Sequence, residues 1–367
     1  MVYRTIGLMS GSSLDGLDIV FAELEESRGT WRFNINAATC YEYNTEWKQK
    51  LASAKNLSAH EYFLLHAAYG KYLAECVNKF INENSLHHRV QLIALHGHTV
   101  FHHPDAGVTT QLGCGATLAA LTGINVVSDL RIIDVALGGV GAPIVPMGEK
   151  LLFPGFDFYL NIGGITNISF QHEKSFIAFD VCSANRVLNM LAQQQGKEYD
   201  ENGNIAAGGQ LIKPLFEKLN ALDYYMLAAP KSLSNNFGTD VIYPLIQSVN
   251  VSTEDALRTY TEHIAYQLKK SAQNLIANKT DEQNSFKLLV TGGGAFNKFL
   301  IKNLNENLAS SNIEVIIAEN NIVLYKEALI MALLGVLRWR EENTVIASVT
   351  GASRSSIGGA VWIGQEA

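Results

Sequence analysis

Three glycine-rich turns, each placed directly after a strand-like segment, constrain this chain most. They are Gly11–Gly16, Gly163-Gly164 and Gly292–Gly294. A glycine lets a backbone N–H approach a phosphate oxygen with no Cβ in the way, although any one such turn is equally typical of an ordinary hairpin. Three together favour a nucleotide site. The sequence has no GxxxxGK[ST] motif, which excludes a Walker P-loop, and Gly113-Cys114-Gly115 does not extend to GxGxxG.

The pattern around the first two turns predicts two similar α/β halves. Residues 3–9 and 17–24 alternate like strands around the first turn, and residues 156–162 and 166–170 flank the second. Alternating strands and helices follow each hairpin, so we expect the halves to share a cleft at their strand ends. Gly138–Pro143 is interpreted as the crossover between them. The main predicted helices cover 58–83, 114–122, 183–195 (with Ser183 as N-cap), 253–278 and 325–340.

Composition excludes several classes of protein. With 367 residues, 47% hydrophobic and 17% charged, the chain is long enough for about two domains and too apolar for overall disorder. A net charge of −7 without a basic block argues against a nucleic-acid or anionic-membrane partner. Four dispersed cysteines without a CxxC pair fit a reducing compartment. The uncharged stretch 106–128 is too polar for a membrane helix, so we predict a soluble cytoplasmic protein without a signal peptide.

Carboxylates beside the turns are candidates for chemistry. Asp180 ends a strand just before a predicted helix, where it would serve as a general base in a cleft or simply as a helix cap. Asp15 and Asp18 flank the first turn. Either could hold a hydrated Mg²⁺ through water, or act as an ordinary turn aspartate.

Histidines crowd the segment that follows residue 95. His96 and His98 are expected to share a strand face, yet no nearby carboxylate or cysteine completes a metal-ligand set. Ligand contact from His98 or Thr99 at a strand end is therefore favoured over metal binding.

Two further charged residues are candidates for ligand contact. Arg131 follows a strand and would bind an anionic carboxylate, or else pair with Asp129 or Asp134. Glu327 is expected in the first turn of a helix, where an acidic side chain suits the helix dipole. Its functional interpretation requires that helix to point into the cleft.

Together these motifs resemble the 1,6-anhydro-N-acetylmuramic acid kinase family. The resemblance covers about residues 4–360 and begins with GLMSGSSLDGLD at Gly7–Asp18. It continues, in order, through His96–Val100, Val126–Arg131, Gly138–Pro143, Asn161–Ser169, Phe179-Asp180, Thr291–Ala295 and Lys326–Ala328.

The resemblance implies a two-domain actin/hexokinase/Hsp70-like (ribonuclease H-like) α/β fold with a central ATP cleft. One domain would comprise residues 1–131 and 341–367, and the other residues 132–340. Asp180 matches the catalytic base of the family, and Thr99, Arg131 and Glu327 match its substrate side, with Thr99 and Arg131 on strands. The residues assigned to ATP are Gly11, Ser12, Ser13, Leu14, Asp15, Gly16, Leu17, Asp18, Gly163, Gly164, Asn167, Gly292, Gly293 and Gly294.

The implied activity uses ATP and Mg²⁺. Water opens the anhydro bridge of 1,6-anhydro-N-acetylmuramic acid and O6 is phosphorylated, giving N-acetylmuramic acid 6-phosphate and ADP in peptidoglycan recycling. The chain departs from the family pattern at His98, Cys114 and Val181-Cys182. The alternatives are a kinase of another amino sugar on the same fold, or a nucleotide- or sugar-binding homologue that has lost turnover. A homodimer is compatible with either.

Overall fold

The computed structural model describes residues 1–11, 14–172, 175–229, 231–234, 236–277 and 285–365. Its strands are β1 (Val2–Ser10), β2 (Gly16–Ser27), β3 (Thr30–Glu42), β4 (Leu92–Leu95), β5 (His98–His103), β6 (Val108–Leu112), β7 (Asn125–Ser128), β8 (Phe158–Ile162), β9 (Ile165–His172), β10 (Ser175–Ser183), β11 (Phe286–Thr291), β12 (Ile313–Ile317) and β13 (Ala360–Trp362). Its α-helices are α1 (Thr45–Ser53), α2 (Ala59–Glu83), α3 (Gly115–Thr122), α4 (Ile132–Ala136), α5 (Pro146–Leu152), α6 (Asn185–Gln193), α7 (Asn204–Gly208), α8 (Lys213–Asn220), α9 (Tyr243–Gln247), α10 (Thr253–Ala277), α11 (Lys298–Ala309), α12 (Asn320–Trp339) and α13 (Ala347–Thr350).

The chain divides into two units. Unit 1 comprises Met1–Pro154 and Tyr325–Ala367, and unit 2 comprises Gly155–Leu324. These limits differ from the predicted boundaries after residues 131 and 340. The glycine-rich segment 138–143, interpreted as the crossover, belongs to unit 1 because the buried Asp134 carboxylate accepts hydrogen bonds from the Gly141 N–H (2.8 Å) and the Thr350 hydroxyl (2.7 Å).

The two sheets share one strand order. In unit 1, β2 pairs antiparallel with β1 and β3, while β4 pairs parallel with β1 and with β7. In unit 2, β9 pairs antiparallel with β8 and β10, while β11 pairs parallel with β8 and with β12. The edge strand β13 extends the first sheet beside β7. The common order confirms the prediction of two similar α/β halves and, with it, the actin/hexokinase/Hsp70-like fold class.

Helix α2 illustrates why the periodic segments fold as predicted. Ser58 and Glu61 form a capping box, which satisfies two free N–H groups at the start of the helix. Its apolar residues, Leu65, Tyr69, Leu73 and Phe80 among them, are buried in the core of unit 1. The stretch 106–128 contains β6, the eight-residue α3 and β7. Within the described residues, no helix has the length and apolarity needed to cross a membrane.

Two expectations about helix starts are wrong. Ser183 is the last residue of β10, and the N-cap of α6 is Ala184, which makes no side-chain capping bond. Helix α12 begins at Asn320, well before the predicted start at 325. Glu327 therefore lies beyond the first turn, where the helix dipole gives it no structural explanation.

Small residues let α12 lie directly on the sheet of unit 1. A Cβ at Gly7 in β1 would overlap the Ala328 carbonyl oxygen and stand 2.7 Å from the Ala332 nitrogen. A Cβ at Gly335 would lie 2.5 Å from the Cβ of Ala94 in β4. A shift of α12 away from the sheet would break the packing of the buried side chains of Leu329 and Leu333.

We therefore expect Gly7→Ala to lower the free energy of unfolding by about 1–3 kcal/mol, because an added methyl meets rigid helix backbone. Urea unfolding measures the change. Gly208→Ala in α7 is the matched control, since nothing lies within 4 Å of its added Cβ, and it should be neutral or slightly stabilising. Equal stability of the two variants would contradict the close packing of α12.

Candidate active site

The first glycine-rich turn joins β1 to β2. Ser10 pairs with Leu17, and the Leu14 N–H donates to the Gly11 carbonyl at 3.5 Å, with Leu14 in the left-handed region (φ 61°). Leu17 is fully buried in the core of unit 1, so only its backbone is available to a ligand. Packing explains the glycine at position 16, because an added Cβ would lie 2.6 Å from the Cys40 sulfur. Of the residues assigned to ATP, Ser12 and Ser13 lie outside the described residues.

Asp18 is a half-buried carboxyl on β2 opposite Cys40 on β3. Burial raises the pKa of Asp18 to about 6; the Cys40 thiol, hydrogen-bonded to it, opposes this rise, whereas the charges of Glu327 and Asp15 add to it. The structure thus brings Asp15 and Glu327 within electrostatic reach of Asp18. Such a carboxylate is costly to keep ionised unless a cation or hydrogen-bond donor joins it.

Glu327 stands beside a buried ion pair. Lys326 Nζ lies 2.7 Å from Glu149 Oε1, and both side chains are 3% exposed. Burial raises the pKa of Glu327, the charges of Lys326 and Arg131 lower it, and Glu149 raises it further. The α5–α12 pair therefore sets both the position and the electrostatic surroundings of Glu327.

Arg131 is held by neutral acceptors. Its Nε–H donates to His96 Nε2 at 2.9 Å, and Nη1–H donates to the Gly141 carbonyl at 2.7 Å. Because His96 Nε2 accepts, Nδ1 carries the proton and donates to the Gly97 carbonyl at 2.7 Å. Burial and the Arg131 charge lower the pKa of His96 to about 3, so the ring stays neutral. Burial also lowers the pKa of Arg131, to about 10, against the opposing charges of Glu327 and Asp134.

These bonds bear on whether Arg131 pairs with Asp129 or Asp134. The Asp134 carboxylate accepts hydrogen bonds from Gly141 and Thr350, and the Asp129 carboxylate accepts from the Ser128 hydroxyl at 2.6 Å. Within the described residues, Arg131 forms no hydrogen bond with either aspartate, and the charge of Asp134 acts on it at longer range. Arg131 is the N-cap residue of α4, so the expectation that it lies on a strand is wrong.

His96 and His98 do not share a strand face, contrary to expectation. β4 ends at Leu95 and β5 begins at His98, with Gly97 in the left-handed region (φ 78°) between them. His98 Nδ1 lies 3.4 Å from Ser10 Oγ, which accepts from the Tyr43 hydroxyl at 2.8 Å. Sequence reasoning missed Ser10 and Tyr43, because only the sheet brings them together. Thr99 follows His98 on β5 and is exposed, as a ligand contact requires.

The second turn, in unit 2, joins β8 to β9 and lies against the N-terminus of α6. The N–H groups of Ala184 and Asn185 donate to the Gly164 and Gly163 carbonyls at 2.8 and 3.1 Å. A Cβ at Gly163 would crowd the Ile165 carbonyl oxygen at 3.3 Å, whereas one at Gly164 would come no closer than 3.8 Å to any atom of the described residues. Neither glycine has a positive φ. Packing within the described residues therefore leaves room for a side chain at Gly164.

The third turn packs against the second. Gly292 (φ 82°) has no room for a Cβ beside the Ile162 carbonyl, at 2.8 Å, and a side chain at Gly294 would overlap that of Ile162. A cavity of about 410 Å³ opens beside Gly293 and Gly294. Its lining includes Asn185, Tyr199, Asp200, Asn202, Phe296 and Asn297.

Asp180 lies at an irregularity of β10. Its cross-strand partner is Asn167 on β9, and the pairing register then shifts between Asp180 and Cys182. The Asp180 carboxylate accepts from the Leu233 N–H at 2.9 Å. Burial raises the pKa of Asp180, and the Leu233 bond opposes the rise. Asp180 does not cap α6, since β10 continues to Ser183 and the cap is Ala184.

Comparison with known proteins gives one family. The family model described as anhydro-N-acetylmuramic acid kinase matches residues 3–364. Relatives named anhydro-N-acetylmuramic acid kinase occur in Sulfurimonas denitrificans (31% identity, 97% of this chain and 98% of the relative) and Haemophilus influenzae (31%, 97% and 97%). A solved structure, the activator of the 2-hydroxyisocaproyl-CoA dehydratase from Clostridium difficile with bound ADPNP, aligns over 92% of this chain and 96% of that chain with 14% identity and a TM-score of 0.46. A TM-score below 0.5 adds nothing to the strand order described above.

The raised pKa of Asp18 predicts a stability cost at neutral pH. The folded pKa of about 6 exceeds the ordinary 3.8, so the folded protein holds this proton more tightly than the unfolded chain. The stabilisation by protonated Asp18 is complete below pH 4 and is lost as pH rises to 6. Asp18→Asn should therefore raise the free energy of unfolding at pH 7 by about 1–3 kcal/mol.

Urea unfolding at pH 4 and pH 7 checks this. The gain should be confined to the higher pH, and Asp105→Asn, at an exposed carboxylate, should show no such pH dependence. Destabilisation of the Asp18→Asn protein at pH 7 would contradict the interpretation that the ionised Asp18 carboxylate lowers the free energy of unfolding.

Proposed function

The chain belongs to the anhydro-N-acetylmuramic acid kinase family, and we propose that Asp180 is the general base of its reaction. The family is one of sugar kinases that transfer a phosphoryl group from ATP in cell-wall recycling. Water opens the anhydro bridge and O6 is phosphorylated, yielding N-acetylmuramic acid 6-phosphate and ADP. The single observation that carries the proposal for Asp180 is its half-buried carboxylate, fixed at a strand irregularity by a backbone N–H.

In the proposed step, the carboxylate of Asp180 takes a proton from water, the water oxygen bonds to C1, and the C1–O6 bond breaks. O6 then bonds to the γ-phosphorus as the bond to ADP breaks. A base whose pKa is raised towards neutrality accepts that proton more readily. Since O6 occupies the β position of C1, attack from the opposite face gives the α anomer first.

The turns of unit 2 and its cavity support a nucleotide site there. The open space at Gly164 and the N-terminus of α6 suit phosphate oxygens. The cavity beside Gly293 offers exposed Phe296 and Tyr199 rings, against which a purine would stack. We assign the phosphates to the turns and the nucleoside to the cavity.

Unit 1 supplies the residues for the sugar. Arg131, whose hydrogen bonds are to neutral groups, suits the lactyl carboxylate of the substrate. Glu327 would accept a hydrogen bond from a hydroxyl or an amide N–H of the sugar, and its interaction with the Arg131 charge supports a place on the same side of the site. Thr99 contributes an exposed hydroxyl at the strand end.

A magnesium ion fits one or two carboxylates of unit 1 better than an all-protein cage. Among the described residues no group of three His, Cys, Asp or Glu side chains could hold a metal. Magnesium usually keeps several waters and shares its remaining ligands between carboxylates and substrate phosphates. Asp18, costly to ionise alone, and Asp15 would hold it through water. When bound, the ion would neutralise charge on the transferring phosphate.

Free thiols are compatible with a cytoplasmic location, which we propose. Cys40, Cys76, Cys114 and Cys182 are all unpaired with one another. Cys114 caps α3, its sulfur accepting from the Thr117 N–H at 3.5 Å.

Gly164→Val should fold normally and weaken ATP binding at least about tenfold, because its added methyls occupy space that the described residues leave open. Nucleotide titration by calorimetry measures the affinity. Gly208→Val, also at an open glycine without a positive φ, is the control and should bind ATP like the wild type. Unchanged affinity in folded Gly164→Val would remove this turn from the nucleotide site.

Asp180→Asn should bind ATP normally and lose about 10²- to 10⁴-fold in kcat, the usual contribution of a general base. The measurement is ADP release with the anhydro sugar, together with proton NMR of the anomeric region during the first turnovers of the wild type. We expect the α anomer first. Initial β product, or near-normal kcat in Asp180→Asn, would exclude Asp180 as the base that activates water.

A further inference from the structure

The strand irregularity at Asp180 raises the question of what orients its side chain. Asp180 pairs with Asn167 and Cys182 with Thr166, which leaves Val181 as an extra residue in β10. A bulge of this kind interrupts the ladder and turns the strand locally. The regular sheet therefore does not by itself fix the direction of the carboxylate.

Three contacts from residues that follow α8 replace the missing ladder. The Tyr224 hydroxyl donates to the Asp180 carbonyl at 2.6 Å. The Asp180 N–H donates to the Lys231 carbonyl at 3.0 Å, and the Leu233 N–H donates to Asp180 Oδ2 at 2.9 Å. The N–H, the carbonyl and the carboxylate of one residue are thus all engaged by a short stretch of chain.

We propose that Tyr224 is a positioning residue for Asp180, acting with Lys231 and Leu233 to hold the carboxylate in its reactive direction. The proposal rests on the proposed function of Asp180. It assigns to Tyr224 no contact with substrate. Its hydroxyl acts through the peptide of Asp180, and Leu233 acts on the carboxylate itself.

The contacts of Tyr224 make it a firm donor. Lys231 Nζ donates to the Tyr224 carbonyl at 3.0 Å and lies 4.5 Å from the centre of its ring. Phe237 packs against the same ring with centroids 5.5 Å apart. Burial raises the pKa of Tyr224, so its hydroxyl keeps its proton throughout the working pH range. Small displacements of a catalytic group cost large factors in rate, which gives this fixation its value.

Tyr225 provides a matched control within the same 3-10 turn, Asp223–Met226. Its hydroxyl lies 3.0 Å from His263 Nε2 on α10, and His263 Nδ1 lies 2.8 Å from Asn220 Oδ1. Since the amide oxygen accepts, His263 donates through Nδ1 and accepts the Tyr225 proton at Nε2. The two adjacent hydroxyls therefore have different partners: that of Tyr224 bonds to Asp180, and that of Tyr225 bonds to His263 on α10.

The experiment compares Tyr224→Phe, Tyr225→Phe and Asp180→Asn in the full chain, with kcat, both KM values and the pH profile of kcat/KM. We expect Tyr224→Phe to lose about tenfold in kcat with both KM values within about twofold. Tyr225→Phe should melt at a lower temperature yet keep kcat within about twofold when assayed well below its transition.

The acid limb of the profile separates positioning from mere stability. Ionised Asp180 is the active form, and the Leu233 N–H favours that form. The charge of Asp180 acts on the Cys182 thiol and the Tyr224 phenol, and the Lys231 amine interacts with the Cys182 thiol and with the Lys270 charge. If Tyr224→Phe loosens the Leu233 bond, the pKa of Asp180 rises and the acid limb moves to higher pH. Tyr225→Phe should leave that limb in place.

Each result is decisive. Wild-type kcat and an unmoved acid limb in Tyr224→Phe, with Asp180→Asn inactive, would overturn the positioning role alone. A fully active Asp180→Asn would overturn both that role and the proposed function. Should Tyr224→Phe fail to fold, Lys231→Met removes the bond to the Tyr224 carbonyl while keeping the apolar stem, and we expect the same change in kcat and acid limb. Normal values for a folded Lys231→Met would then contradict the proposal.

Discussion

Parallel strand pairing is the constraint on which both candidate sites depend. β1, β4 and β7 run parallel in neighbouring positions, so their carboxyl ends meet at one edge of the sheet of unit 1. This edge carries Ser10, the last residue of β1, together with His96 and Arg131, which come shortly after β4 and β7. In unit 2 the parallel pair β8 and β11 ends at the second and third glycine turns in the same way. Loops that follow parallel strands gather at such edges whatever chemistry they carry, which is why the polar residues are concentrated there.

Once gathered, the polar groups depend on how burial is compensated. Arg131 stays charged because its pKa, although lowered by burial to about 10, remains well above neutrality, and its hydrogen bonds go to a neutral imidazole and a carbonyl. Glu149 and Lys326 compensate each other at 2.7 Å. Burial raises the pKa of Asp18, and the weak thiol donor of Cys40 does not offset this rise. The uncompensated groups are therefore those that a cation or a polar ligand would stabilise, while the paired groups hold the helices in place.

Much of the fold can be predicted from the sequence, but less of the candidate site. Period-two segments around Gly11–Gly16 and Gly163-Gly164 predicted both hairpins, and the apolar period of 58–83 predicted α2, because these signals are local. The surroundings of Asp180 were missed, since Tyr224 and Leu233 come to it from more than forty positions along the chain. The start of α12 was missed because Asn320–Leu324 has no apolar period of its own.

Glycines show most clearly what the structure adds to such patterns. In the sequence Gly7, Gly16 and Gly163 look alike. Gly7 is required by the backbone of α12 and Gly16 by β3, because a Cβ at either would overlap or crowd the neighbouring element. Gly163 has an unstrained backbone and meets a milder contact, the Ile165 carbonyl oxygen at 3.3 Å, while at the adjacent Gly164 a Cβ would meet no atom of the described residues closer than 3.8 Å. Where the protein has room for a side chain but carries a glycine, that room is available to a ligand. At the N-terminus of α6, where the helix dipole favours negative charge, a phosphate group fits that description.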